Sequence, residues 1–199
     1  MTTEPPREAI PDSVNLDAID VRPATIALVR DLVHETTGLY YPDERSAQLV
    51  ERLTPLVLER GFPSLLDYYY LLKYDAAAAP AEWGRVFDAL AVPETYFWRE
   101  IDQLRAIVSI VVPQCVDALA GRPLSIWSIP CATGEEPLTL AMLLDEAGWF
   151  ARAPIEIHAS DASPGVIERA RAGLYRGRAF RNLPAETRDR YFTRAGEAT

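Results

Sequence analysis

The sequence has few residues of the kinds that hold metals or act as catalytic nucleophiles. Its 199 residues include only two cysteines, Cys115 and Cys131, and two histidines, His34 and His158. The cysteines have neither the spacing of a zinc site nor the number required for a disulfide framework. Two isolated histidines do not favour a histidine-based catalytic triad. We therefore expect no metal site and no chemistry that depends on histidine or a thiolate.

Long apolar segments are missing as well. No run approaches the roughly 20 apolar residues that span a bilayer. The start of the chain, MTTEPPREAIPDS, is polar and acidic rather than typical of a signal peptide. These features predict a cytoplasmic protein without membrane insertion. With 49% hydrophobic and 25% charged residues, the chain can build a core and has the length for two small domains.

Positive charge is scarce overall, since 20 basic residues face 29 acidic ones and the net charge is −9. A nucleic acid is therefore not expected as a partner, because its phosphates favour concentrated Lys and Arg. Residues 168–194 are the exception, with three acidic residues against arginines at 169, 171, 176, 178, 181, 188, 190 and 194. Two interpretations stay open: a solvated helix face and loop, or a docking surface for an acidic protein.

Proline and glycine divide the first half of the chain. Residues 1–21 hold five acidic residues and three prolines without firm periodicity, so we expect a mostly disordered leader. Residues 22–90 contain apolar residues at helical spacing, which predicts four or five short helices in an all-helical domain. Helix breaks are expected at Gly38, Pro42, Pro55, Gly61 and Pro63. A second domain is expected over 91–199, and its first residues, near 91–94, are expected to form the linker.

The stretch LSIWSIPCATGEEP, residues 124–137, has the most informative pattern in the second domain. A short apolar run ends at Pro130, and a small loop around Gly134 leads into a helix that begins with Glu135 and Glu136. A strand, a tight turn and a helix start in this order are typical of doubly wound α/β folds. Such folds bind nucleotide-like ligands at this turn. Before this stretch, residues 101–119 are predicted as one helix bent at Pro113.

The residues of this turn exclude some ligands. A loop that cradles phosphate needs several glycines and usually a lysine, whereas this loop has one glycine, no lysine and two carboxylates. Glu135 and Glu136 are at a helix start, where the dipole favours negative charge, so they can be simple helix-start carboxylates. Alternatively they bind a ligand with positive charge or hydroxyls. S-adenosylmethionine fits, because it has a sulfonium, an amino group and a ribose.

A second strand and an acidic residue follow. Residues 155–161, IEIHASD, alternate between apolar and polar and predict this strand. Ser163 and Pro164 then predict a helix N-cap and its first helical residue. Asp161 stands at the end of the strand, where a carboxylate can accept both ribose hydroxyls of a nucleotide-like ligand. The alternative role of Asp161 is to cap the helix, although Ser163 already offers a cap.

Four segments of the chain together resemble a known family. They are ETYFWRE (94–100), IWSIPCATGEEP (126–137), IHASDASPGVIERARAGLY (157–175) and RYF (190–192). They are similar to chemotaxis-receptor methyltransferases of the CheR type, which transfer methyl groups from S-adenosylmethionine to glutamate side chains. YYPDERSAQLVERL (40–53) resembles the helical N-terminal domain of that family more loosely. The resemblance implies a mainly α chain with an α/β part: an N-terminal helical docking domain, then part of a Rossmann-like class I methyltransferase domain.

The resemblance also implies roles for particular residues. Thr95 and Arg99 would contact the cofactor, Glu136 would take its amino group and Asp161 its ribose, with Glu135 the less favoured amino partner. Arg99 would also be the catalytic residue that aligns the incoming glutamate. The methyl acceptor would be an acidic signalling protein similar to a chemoreceptor.

Three features depart from the family pattern. Pro93 and Pro130 stand where the family has small or flexible residues, and each removes a backbone N–H that a cofactor could use. The family also continues with further strands beyond the position of residue 199. We expect either a piece of a longer protein or a shortened relative, and no methyl transfer by the 199-residue chain alone. The alternative function is a non-catalytic regulatory or protein-binding module that retains a remnant of the methyltransferase fold.

Overall fold

The computed structural model of the chain describes residues 19–92 and 94–195. The chain divides into two compact units, residues 1–91 and residues 92–199. The first unit is helical, and in the second a two-stranded parallel sheet is described alongside helices. The fold is therefore a helical N-terminal domain followed by part of a Rossmann-like domain, which confirms the predicted fold class.

Helices with one apolar face build the first unit. They are α1 (Pro23–Thr37), α2 (Ser46–Glu59), α3 (Leu65–Tyr74) and α4 (Ala79–Leu90). Fully buried side chains from all four helices form one core, including Val33, Leu53, Leu65 and Val86. α1 ends at Gly38, whose left-handed φ of 74° lets its N–H reach the carbonyl of His34.

The predicted helix break at Pro55 is wrong, because α2 continues through this proline. A proline inside a helix removes one hydrogen bond and costs about 3 kcal/mol. Leu53, Leu56 and Val57 surround it in sequence and are all buried in the core of the first unit. Their burial, at roughly 1.5–3 kcal/mol for each side chain, outweighs that cost and keeps the helix continuous.

Most of the predicted leader, residues 1–21, lies outside the described residues. Ile19 is described and buried, with 6% of its surface exposed. Asp20 forms a parallel bridge with Ser64: its N–H donates to the carbonyl of Pro63, and its carbonyl accepts from the N–H of Leu65. Packing of the first unit therefore includes Ile19 and Asp20, which precede the predicted start of the helical domain at residue 22.

One carboxylate lies inside the first unit. The side chain of Glu82 on α4 is completely buried, and its Oε1 accepts a 2.8 Å hydrogen bond from the hydroxyl of Tyr68. Its Oε2 accepts from Nε and Nη2 of Arg60. Burial raises the pKa of Glu82, but the hydrogen bonds from Arg60 and Tyr68 outweigh burial and leave this pKa lowered. Glu82 is therefore an ionised, paired group that joins α3, α4 and Arg60, the residue that follows α2.

The first helices of the second unit form a run over residues 101–119. It consists of α5 (Ile101–Ala106), a π-helical turn (Ile107–Val111) and α6 (Val112–Leu119). The N–H of Val112 donates to the carbonyl of Ile107, five residues earlier. Instead of the predicted helix bent at Pro113, the structure has two α-helical stretches joined by a wider turn just before this proline. The proline cannot donate to an i−4 carbonyl, so the local bonding is altered there.

The sheet and its helices follow in the order that the sequence predicts. They are β1 (Leu124–Ser128), α7 (Glu135–Glu146), β2 (Ile155–Ala159), α8 (Pro164–Ala172) and α9 (Ala185–Tyr191). β1 and β2 pair in parallel from Leu124 with Ile155 to Ser128 with Ala159. Both strands and the predicted cap of α8 at Ser163 are confirmed. No described helix is both long and apolar enough to cross a membrane.

Candidate functional site

The loops that follow β1 and β2 lie side by side at the carboxyl ends of the strands. The N–H of Ser160 donates to the carbonyl of Ser128, and the N–H of Cys131 donates to the carbonyl of Ser160 at 2.9 Å. These bonds extend the strand pairing into the two loops. The candidate site is thus built at the edge of the sheet where doubly wound folds bind their ligands.

Gly134 closes the first of these loops and precedes α7. Its φ is 94°, a left-handed conformation that an L side chain rarely adopts. A Cβ at this position would also lie 3.1 Å from the hydroxyl oxygen of Tyr175 and 3.2 Å from the Cβ of Ala170. The hydroxyl of Tyr175 donates to the carbonyl of Thr133 at 2.9 Å. Glycine therefore lets the loop turn sharply and also lets α8 and the chain after it approach the loop.

Asp161 joins the two loops through its carboxylate. Oδ2 accepts a 2.9 Å hydrogen bond from the N–H of Ala132, and Oδ1 accepts a 3.0 Å bond from the N–H of Ser163. Ser163 in turn caps α8, because its Oγ accepts from the N–H of Val166. Each carboxylate oxygen can accept more than one hydrogen bond. Asp161 can therefore hold the loops in place and still accept hydroxyl donors of a ligand.

The two glutamates at the start of α7 have different environments. Glu135 is buried, with 4% of its surface exposed, and its Oε2 accepts from the hydroxyl of Thr133 at 2.6 Å. Glu136 is exposed, and its Oε1 accepts from the hydroxyl of Ser128 at 2.7 Å. Glu136 is thus the carboxylate of the pair that stays open to a charged ligand. Sequence reasoning missed Ser128, although its position at the end of a predicted strand could have drawn attention to it.

Residues 94–99 form a bent segment with its aromatic residues inside. Phe97 is completely buried and Trp98 is 7% exposed, whereas Thr95 is half-buried and Arg99 exposed. Trp98 has a left-handed φ of 65°, which is unusual for a bulky residue and marks a constrained backbone. The guanidinium of Arg99 donates to the carbonyl of Glu94, in the same segment.

The same segment packs against the helix that carries Glu136. The N–H of Trp98 lies 3.4 Å from the Oγ1 of Thr139, one turn along α7. The structure thus brings Glu136, Asp161 and Ser128 to one edge of the sheet and attaches the segment of Thr95 and Arg99 to α7. Within residues 94–195, no hydrogen bond or ion pair joins Thr95 or Arg99 to the carboxylates of the other two predicted cofactor residues, Glu136 and Asp161.

Two other polar side chains of the site stay protonated at neutral pH. Burial raises the pKa of the Cys131 thiol, and the charge of Asp161 raises it further. Burial also raises the pKa of Tyr175 to about 12, with the charge of Glu135 adding to the effect. Neither group is an activated nucleophile. Across residues 19–92 and 94–195, no three His, Cys, Asp or Glu side chains are grouped so that they could hold a metal ion.

Pro130 and Pro93 each remove a backbone N–H that a cofactor could use. Pro130 lies exposed in the loop after β1 and, as any proline, offers no N–H there. The next two N–H groups, of Cys131 and Ala132, donate to Ser160 and Asp161. The effect of Pro130 on binding stays a prediction, and Pro93 lies outside the described residues.

The hydrogen-bonding groups at this edge of the sheet fit S-adenosylmethionine. They include carboxylates with remaining acceptor capacity, Asp161 and Glu136, at the carboxyl edge of the sheet, where doubly wound folds bind their ligands. A ligand with hydroxyls and positive charge satisfies these acceptors, whereas a phosphate would be repelled.

Comparison with protein families agrees with this chemistry. Residues 93–199 match the family model described as CheR methyltransferase, SAM binding domain. Residues 24–91 match the model described as CheR methyltransferase, all-alpha domain. S-adenosylmethionine is therefore the cofactor that this domain is built to bind.

Individual relatives are similar over most of the chain. A protein named chemotaxis protein methyltransferase 2 from Vibrio cholerae is 33% identical over 165 residues, which cover 82% of this chain and 57% of the relative. A probable biofilm formation methyltransferase, WspC, from Pseudomonas putida is 35% identical over 73% of this chain and 34% of the relative. Chemotaxis protein methyltransferase 1 from Pseudomonas aeruginosa is 28% identical over 87% of this chain and 64% of the relative. The chain thus spans between about a third and two thirds of the length of these relatives.

Proposed function

The chain belongs to the CheR methyltransferase family, and we propose that it is the substrate-docking and cofactor-binding part of a protein-glutamate O-methyltransferase. The acceptor we propose is an acidic signalling protein similar to a chemoreceptor. The observation that carries this proposal is the placement of Asp161 and Glu136 at the carboxyl edge of the parallel sheet, within the matched SAM-binding domain.

Four residues would hold the cofactor. Asp161 would accept the ribose hydroxyls, because its oxygens keep acceptor capacity beyond the two backbone N–H groups they already bind. Glu136 would accept the amino group, supported by its exposure and by the hydroxyl that Ser128 donates to it. Thr95 offers a hydroxyl, and Arg99 offers a fork of donors that matches a carboxylate.

The proposed reaction needs little from the protein beyond alignment. When bound, S-adenosylmethionine supplies a methyl group that already carries a good leaving group. A glutamate side chain, with a pKa of about 4.3, is already an ionised nucleophile at neutral pH. No general base is required, which agrees with a site whose Cys131 and Tyr175 have raised pKa values. Arg99 would orient the incoming carboxylate and hold it close to the methyl group.

The distribution of arginines in the chain supports the proposal that the methyl acceptor is an acidic protein. In the helical unit, Arg52 donates to the carbonyls of Ala89 and Leu90, and Arg60 binds Glu82, so these two arginines serve internal contacts. Arg45 is exposed. In the second unit, the exposed arginines at positions 171, 176 and 178 lie near the cofactor segments in sequence. An acidic partner would be attracted to this basic part of a chain that is otherwise strongly acidic.

Base-catalysed release of methanol tests the proposed reaction. The protein is expressed with any sequence that its reading frame encodes after residue 199 and incubated with methyl-labelled cofactor and candidate signalling proteins. A glutamyl methyl ester releases its label as volatile methanol in mild base. Base-stable label would indicate N-methylation and contradict the proposal. No label on any acceptor, with cofactor binding retained, would favour a non-catalytic module instead.

Arg99→Ala in the same assay tests the catalytic role. Turnover should fall by a larger factor than cofactor affinity, because Arg99 is proposed to align the acceptor as well as contact the cofactor. Arg105→Ala, an exposed arginine on α5, is the matched control and should change neither quantity by more than about twofold. Equal losses of turnover and affinity in Arg99→Ala would remove the acceptor-aligning role.

A further inference from the structure

The guanidinium group of Arg181 contacts both residues that flank Thr95. Its central carbon lies 3.4 Å from the ring centroid of Tyr96, and Nη2 lies 3.7 Å from Oε1 of Glu94. The carbonyl of that same Glu94 accepts the hydrogen bond from Arg99. Arg181 therefore contacts the residues on both sides of Thr95, and one of them, Glu94, also binds Arg99. Through these residues it reaches both proposed cofactor contacts of the segment.

The backbone beside Arg181 anchors the segment a second time. The N–H of Phe97 donates to the carbonyl of Ala179 at 2.9 Å. The Phe97 ring stacks on Phe180, with centroids 5.4 Å apart and planes at 20°, and meets the edge of Tyr175 at 4.8 Å. Residues 94–97 are thus held from inside by aromatic packing and from outside by Arg181.

The chain after α8 reaches the other cofactor segment as well. The hydroxyl of Tyr175, six residues before Arg181, donates to the carbonyl of Thr133 in the loop between β1 and α7. A single stretch, residues 175–181, therefore contacts both the segment with Thr95 and Arg99 and the loop that precedes Glu136. We call this stretch the clamp.

We propose that Arg181 is a positioning residue of the methyltransferase site, which acts through Glu94 and Tyr96 to fix Thr95 and Arg99 for the cofactor. This inference rests on the proposed function for the roles of Thr95 and Arg99. A flat guanidinium can stack on a ring and pair with a carboxylate at once, whereas a lysine ammonium is a point charge that cannot stack in this way. Arg181→Lys should therefore restore only part of what Arg181→Ala loses.

Hydrogen exchange of the ligand-free chain tests the positioning contact directly. Arg181→Ala should speed exchange of the amides in residues 94–99 by about tenfold or more, while amides of β1 keep their protection. Arg178→Ala is the matched control, because its side chain is exposed on the same clamp and the charge change is identical. Equal exchange in Arg181→Ala and Arg178→Ala would overturn the proposal.

Titration with S-adenosylhomocysteine, the demethylated product, tests whether the positioning contact of Arg181 affects cofactor binding. Arg181→Ala should weaken binding by at least about fivefold, and Arg178→Ala by less than twofold. In a Thr95→Val background, the added effect of Arg181→Ala should shrink, because the two residues act through one contact. Full additivity or unchanged affinity would overturn the proposal. If the protein expressed with any sequence that its reading frame encodes after residue 199 binds no S-adenosylhomocysteine, the proposed function fails, and hydrogen exchange still decides whether Arg181 holds the segment.

Discussion

Replacing the buried Glu82 by glutamine should destabilise the helical unit without changing its shape. The carboxylate accepts from Tyr68 through one oxygen and from Arg60 through the other. Glutamine has one oxygen and one NH₂ group, so a donor of the protein would face a donor of the new side chain. Breaking one side of a buried ion pair costs about 3–5 kcal/mol. Since 35% of the Arg60 side chain is exposed and can recover water, we expect a loss of about 2–3 kcal/mol.

Hydrogen exchange over α3 measures this loss within the helical unit. A cost of 2–3 kcal/mol corresponds to exchange that is faster by roughly 30- to 150-fold, since 1.4 kcal/mol is tenfold. Glu51→Gln on the exposed side of α2 makes the same charge change and should alter exchange by less than about threefold. A Glu82→Gln variant as well protected as Glu51→Gln would refute the assigned role of the buried pair.

The same contact predicts a pH dependence. The pKa of Glu82 is lowered in the folded chain, so its stabilising effect is fully present above the unfolded glutamate pKa of about 4.3. It is lost as the pH falls through the lower folded value. The difference in unfolding free energy between the unsubstituted chain and Glu82→Gln should stay constant from about pH 6 to 8 and shrink below about pH 4. A difference that grows on acidification would contradict the lowered pKa.

Three further substitutions test the site and the packing. Gly134→Ala should lose about 1–3 kcal/mol more unfolding free energy in urea than Gly148→Ala. Both glycines have positive φ, but only at Gly134 would the added Cβ meet neighbouring atoms. Equal losses would contradict this close approach. Arg52→Ala should cost about 1 kcal/mol by freeing two helix-end carbonyls, unlike the exposed Arg45→Ala, and equal unfolding midpoints would contradict this. Ser128→Ala should weaken S-adenosylhomocysteine binding about two- to fivefold, because it removes the donor to a binding carboxylate; unchanged affinity in calorimetry would exclude that role.

Local patterns were enough to predict the elements that carry the site. A short apolar run located β1, alternation located β2, and the Ser–Pro pair located the start of α8, because these features depend on neighbours in sequence. The sequence pattern wrongly divided α2 at Pro55, because the packing that keeps this helix continuous comes from other helices. Pattern reasoning also could not foresee the Glu82 network, because Tyr68 and Arg60 lie 14 and 22 residues away and only Arg85 is near in sequence.

Long-range contacts within the site were equally invisible in the sequence. Asp161 was identified from its place after a strand, but its bond to Ala132, 29 residues away, appears only in the fold. The stacking of Arg181 on Tyr96 joins parts of the chain 85 residues apart, and among the eight arginines of residues 168–194 nothing local distinguishes this one. Residue types and spacing predict which groups the site offers, whereas the contacts that hold these groups in place depend on the tertiary structure.

Calorimetric titration with S-adenosylhomocysteine, on the protein expressed with any sequence that its reading frame encodes after residue 199, tests the central claim most directly. Asp161→Ala and Glu136→Ala should each weaken binding by more than tenfold, about 1.4 kcal/mol or more, because each removes a charge-assisted contact. Glu146→Ala, at the opposite end of α7 and exposed, should bind within about twofold of the unsubstituted chain, and circular dichroism should show equal helix content in all three variants. Binding in both Asp161→Ala and Glu136→Ala at the level of the unsubstituted chain would contradict the assignment of the cofactor site to these carboxylates.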